Sequence, residues 1–200
     1  MSLARLLQLA SPTLPVGAYS YSQGLEAAVE AGIVRDAATA GQWIADVLEF
    51  SVAPMEGAVV LGTMKGEDLN ELFLASRESA ELRAETVQMG YSLCRLLQEL
   101  GVEDVPPGEV AFPVAFALAA KAWGIPSAQA VQAYLWSWLE NQVMAAVKAV
   151  PLGQTAGQKM LMSLSARLSF SEKDNFVNFA PGLAVLSSSH ETQYSRLFRS

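Results

Sequence analysis

The sequence predicts an all-α protein: a single compact domain of about nine or ten helices packed around one long central helix at about 127–150. Two observations carry that reading. From Ser127 to Pro151 no breaker interrupts the chain, and Val131, Tyr134, Leu135, Trp138, Leu139 and Val143 recur at helical spacing. Nowhere does apolar and polar alternation persist with β-branched enrichment, so no strand is expected.

Ser2 to Ala10 reads as a short first helix that Ser11 and Pro12 stop, and Pro15 and Gly17 then shape a loop. Ser20 and Gln23 stand at capping-box spacing before a helix expected to run to Gly32. Asp36 caps the next, which carries Trp43, Ile44, Val47 and Leu48 and should break or kink at Pro54 before continuing to Lys65. Leu69, Leu72 and Phe73 give 67–76 an amphipathic pattern. Ser79 caps a helix to Leu100 with Leu82, Met89, Leu93, Leu96 and Leu100 as its stripe. Pro106 and Pro107 mark a loop, after which a helix starts near Glu109, accepts Pro113 in its first turn and ends at Gly124. Ser127 is placed to cap the central helix; a helix over 153–169 and a loop over 170–182 follow.

Ser137, Asn141, Met144 and Lys148 share a narrow face of the central helix at separations of four, three and four. Lys148 has two readings: a cation that complements the negative helix end, or a functional lysine.

Two hundred residues, 52% of them hydrophobic, suit one domain with a substantial core. A net charge of -7 excludes a non-specific nucleic-acid binder, which needs a basic stripe to displace counterions. The apolar run Val110 to Ala120 is too short to span a membrane and ends at Lys121. Excess apolarity without a span reads as either core or an obligate protein interface, and on the second reading a homodimer is expected. The first residues lack the pattern of a signal peptide, which places the protein in the cytoplasm.

Catalytic chemistry is sparse. Cys94 and His190 are each the only residue of their kind, so no cysteine cluster or ordinary metal site can be assembled within the chain. No glycine-rich phosphate loop occurs, and His190 lies in a tail instead of a built pocket. Glu81 and Glu85 read as solvated. No catalytic residue, metal ligand or cofactor is assigned. The competing reading is a helical enzyme using Lys148 or Glu140 as a buried acid or base.

Two stretches remain chemically unusual: 12–26, with Tyr19 and Tyr21 beside a helix start, and 190–200, with Tyr194, Arg196, Leu197, Phe198 and Arg199. The tail's composition suits a partner groove, with a frayed end as the alternative, so the chain divides into a helical body at 1–189 and a partner-binding tail at 190–200.

LPVGAYSYSQGLE at Leu14 to Glu26, WLENQVMAAVKAVPLGQTAGQ at Trp138 to Gln158 and HETQYSRLFRS at His190 to Ser200 resemble, in this order, three motifs of the UreF family of urease accessory proteins. The resemblance extends over essentially the whole chain, with 170–186 matching poorly and Ser189 replacing a basic residue. It implies an all-α, usually dimeric protein without catalytic activity or cofactor. Such a protein binds UreD (also called UreH), recruits the GTPase UreG with it, and so serves nickel insertion into the urease apoenzyme, with direct regulation of the GTPase as an alternative role. By resemblance the partner-binding residues are Tyr19, Tyr21, Gln23 and Glu26 in the first motif, Lys148 in the second, and His190, Glu191, Tyr194, Arg196, Leu197, Phe198 and Arg199 in the third.

Overall fold

The computed structural model describes residues 3–102, 104–168, 170 and 176–200, and among these it contains ten α-helices and no strand. In chain order they are α1 (Leu3–Leu9), α2 (Leu25–Glu30), α3 (Ala37–Val47), α4 (Ala58–Lys65), α5 (Asn70–Ala75), α6 (Ala80–Glu99), α7 (Phe112–Ala122), α8 (Ser127–Ala149), α9 (Gln154–Ser165) and α10 (Pro181–His190). A 3-10 turn, Ala18–Ser20, precedes α2, and a π-helical segment, Leu48–Gly57, joins α3 to α4.

α8 is the central helix. Its stripe from Val131 through Tyr134, Leu135, Trp138 and Leu139 to Val143 is buried, and it packs against α1, α2, α3, α4, α7, α9 and the π-helical segment. A helix met from so many sides must be apolar around most of its circumference, and Ser137, Asn141 and Lys148 share one narrow strip of it, while Gln142 is buried elsewhere on the helix.

Local chemistry sets most boundaries. The Asp36 carboxylate accepts the Thr39 N–H at 2.8 Å and completes a capping box, while Ser79 Oγ accepts the Leu82 N–H at 3.2 Å. Ser127, by contrast, is already the first residue of α8, with Pro126 before it and no side-chain cap. The Ser20 to Gln23 capping box does not form either. Gly24, at φ +77°, starts α2 instead, and the Gln23 side chain is committed to Trp138 and Glu85. Pro54 causes no break, because the wider π-helical winding absorbs its missing N–H and ring.

The helix expected over 153–169 ends at Ser165, and position 169 lies outside the described residues, as do 171–175 of the expected loop. α10 begins at Pro181, inside the stretch expected to be loop, and brings His190 into its last turn.

α6 and α7 approach closely at Gly90. A Cβ there would overlap the Val110 carbonyl, with the Ala111 backbone 3.1 Å away, so the neighbour that must yield is main chain. Gly90→Ala is expected to cost about 2 kcal/mol as the helices separate, read as a lower denaturation midpoint at unchanged slope.

Candidate functional site

Three distant parts of the chain meet beside Lys148. Its ammonium, in the last turn of α8, lies 6.0 Å from the Tyr19 ring centroid and 5.8 Å from that of Phe198. Among the described residues no carboxylate pairs with it, so the charge faces two aromatic rings and solvent. Ser137, Asn141, Met144 and Lys148 border one cavity of about 370 Å³, together with Tyr19 and Gln23. The polar strip of α8 is therefore one wall of a cleft that opens beside Lys148. Asn141 Nδ2 donates to the Tyr21 carbonyl at 3.3 Å, which fixes the loop at 12–21 over that wall.

The C-terminal segment is held against the body by carboxylates that the apolar faces of α2 and α6 bury. Glu26 accepts the N–H groups of Leu197 at 2.6 Å and Phe198 at 2.9 Å, and faces His190 Nε2 at 3.3 Å. On the other side of the ring, Glu81 lies 2.6 Å from His190 Nδ1 and also pairs with Arg196. His190 is wholly buried between the two carboxylates. Arg196 Nη2 donates to the Glu191 carbonyl, and Glu191 Oε1 accepts the Ala80 N–H at the start of α6, where the helix dipole favours an anion. Further along, Ser22 donates from its backbone and its hydroxyl to the Ser200 carbonyl, and Arg199 N–H donates to the Ser20 carbonyl.

The residues grouped by sequence thus divide by position. Tyr21, Gln23, Glu26, His190 and Phe198 look inward and hold the assembly together; Tyr19, Lys148, Tyr194, Arg196, Leu197 and Arg199 present exposed surface. His190 sits in a built pocket, contrary to its reading as part of a tail, because α10 ends on it.

A buried polar group inside the cleft was not legible as a site. The π-helical segment points Glu56 into the core, where the Tyr134 hydroxyl donates to it and Arg77 Nη1 stands 3.2 Å away. Burial raises the Glu56 carboxyl above its usual range against the pull of Arg77. Arg77 also stacks 4.3 Å over the Phe73 ring centroid. Glu85 is buried as well and is pushed up to about 7, chiefly by burial. The solvated reading of Glu81 and Glu85 therefore fails for both. The signal was present: Glu85 is three residues after Leu82 and four before Met89, on the apolar stripe. Glu56, Arg77 and Tyr134 bond to one another, and Glu85 bonds to Gln23 and Ser200; all four line the same cavity as Lys148, and none of them bonds to it.

Among the described residues, no group of three or more His, Cys, Asp or Glu side chains is arranged to hold a metal ion, and no helix is long and apolar enough to cross a membrane.

A sequence profile of the UreF family matches residues 34–165. Curated proteins named urease accessory protein UreF match from end to end. The one from Azoarcus sp. (strain BH72) is 56% identical over 225 aligned positions, covering 100% of this chain and 96% of that protein. Its counterpart in Dechloromonas aromatica (strain RCB) is 53% identical, covering 100% and 98%. That of Nitrosospira multiformis is 44% identical, again covering 100% and 98%. The profile leaves out both terminal motifs, whereas the full-length matches include them.

Proposed function

The chain belongs to the UreF family of urease accessory proteins, and on that premise we propose that it is a non-catalytic scaffold for maturation of the urease nickel centre. It binds UreD (UreH), and the pair recruits the GTPase UreG and the urease apoenzyme in the cytoplasm. The observation that carries this reading is the meeting of Tyr19, Lys148 and Phe198, one residue from each of three separated motifs, around an ammonium with no carboxylate partner among the described residues. An unneutralised cation on a surface of exposed Tyr19, Tyr194 and Leu197 suits an acidic, partly apolar partner surface. The pairing of Glu56 with Tyr134 and Arg77, and of Glu85 with Gln23, favours a structural role for the buried charges over acid–base catalysis at Lys148 or Glu140.

Homodimerisation completes the proposal. Leu3 and Leu7 of α1, Tyr91 of α6, Leu100 just after it and Met162 of α9 are large apolar side chains left exposed, as an interface requires. Co-purification with UreD and UreG, followed by gel filtration, tests both parts. The expected result is a dimer that captures UreD alone and UreG only once UreD is bound. A monomer that captures neither would overturn the scaffold reading.

A further inference from the structure

The cavity of about 370 Å³ that opens beside Lys148 is bordered by α8, α6 and the loop at 12–21. Leu9, Leu14, Val16, Leu82, Met89 and Phe112 supply its apolar wall. At about 30 Å³ per non-hydrogen atom, the share of one water in the liquid, the space holds roughly a dozen atoms. That is the size of a small organic molecule.

Most polar side chains on its border already bond within the chain. Glu56 accepts from Tyr134 and Arg77, Glu85 accepts from Gln23 and Ser200, and Gln23 accepts from Trp138. Ser137 donates to the Tyr134 carbonyl, Asn141 donates to the Tyr21 carbonyl, and Thr86 accepts the Phe112 N–H. Arg77 Nε and Nη2 have no partner, yet both are enclosed and do not open onto the cavity. A polar body placed inside would lose its water and gain no bond in return, so the walls select an apolar one.

Among the described residues, Glu140 and Lys148 are the charged groups on the border with neither a hydrogen bond nor an ion pair. At about 1.5 Å per residue they stand about 12 Å apart along α8, too far to pair with each other. Lys148 is exposed at the opening, with the rings of Tyr19 and Phe198 at 6.0 and 5.8 Å. Those rings displace part of its water and leave the ammonium open to an anion. Glu140, further along the cavity, repels an anionic group and so favours its placement at the Lys148 end.

We infer that the cavity is a binding site for an amphipathic carboxylate, whose unbranched apolar body fills it while the carboxylate pairs with Lys148 at the opening. The site goes beyond the scaffold reading and belongs to the free chain. A molecule bound there would withdraw the Lys148 ammonium from a partner.

Isothermal titration of the full-length chain with decanoate, decanol and decylamine tests this without partners. One decanoate per chain is expected, bound about tenfold more tightly than decanol, which lacks the charge. Decylamine, whose ammonium would seek Glu140, should bind more weakly than either. Affinity should rise about tenfold with each two carbons from hexanoate to decanoate, as burial of methylenes requires. Lys148→Ala should bring decanoate down to the affinity of decanol with circular dichroism unchanged. Ser137→Trp, which places an indole in the cavity, should lose saturable binding; the comparison among ligands on the wild-type chain decides if this variant does not fold. No saturable decanoate binding, equal affinity for decanoate and decanol, or a preference that survives Lys148→Ala would overturn the inference. So would tighter binding of decylamine. Loss of UreD capture by a folded Ser137→Trp chain that in its wild-type form ignores decanoate would assign the cavity to a partner side chain instead, leaving the scaffold reading intact.

Discussion

His190→Ala is expected to remove about 4 kcal/mol of stability, the largest loss from any single side chain in the C-terminal segment. The imidazole is wholly buried, and its two nitrogens face the carboxylates of Glu26 and Glu81. Alanine leaves a cavity the size of the ring, and it leaves the buried Glu26 and the partly buried Glu81 each short of a partner. The loss also spreads, because the same Glu26 positions the backbone of Leu197 and Phe198. Removal of 190–200 should therefore destabilise the helical body, and does not simply trim a free tail. His190→Gln keeps a donor in the pocket and should lose about half as much. Denaturant titration checks both variants; a loss below about 1 kcal/mol for alanine would mean that the pocket is wet or the docking weak.

Lys148→Ala should behave in the opposite way, with folding intact and urease activation in a reconstituted system lowered by tenfold or more. Its ammonium is exposed and makes no ion pair among the described residues, so stability should change by at most a few tenths of a kcal/mol to about 1 from the helix-end dipole. At a desolvated partner surface the same charge is worth more, since a charge-assisted contact there has little competition from water. Lys148→Arg separates the two roles. A helix end accepts either cation, but a compact ammonium held between two rings need not tolerate a planar guanidinium. Full activation by the alanine variant, with normal circular dichroism, would leave Lys148 as an ordinary helix-end cation.

α8 was legible because its apolar period runs unbroken for over twenty residues, a signal that tertiary context rarely overrides. Its polar strip was legible for the same reason, and it does form a wall of the cleft. Pro54 misled because the sequence rule for proline assumes α-helical winding, and a π-helical segment satisfies its geometry in another way. Ser20 and Gln23 match a capping box locally, yet Trp138 and Glu85 compete for the glutamine and win from 115 and 62 residues away. Such long-range hydrogen bonds leave no trace in local spacing. The inward turn of the tail was hidden likewise: its aromatic and basic residues read as partner-binding, while the carboxylates that hold it, Glu26 and Glu81, lie on two other helices.

Partner binding is proposed at the surface around Tyr19, Lys148 and the C-terminal segment. Hydrogen-exchange footprinting of the full chain, free and in complex with UreD and UreG, tests it most directly. New protection is expected at 18–21, 144–150 and 193–199, with the exposed faces of α3 and α9 unchanged. Protection confined to α3 and α9, with the Lys148 surface exchanging as in the free chain, would contradict it.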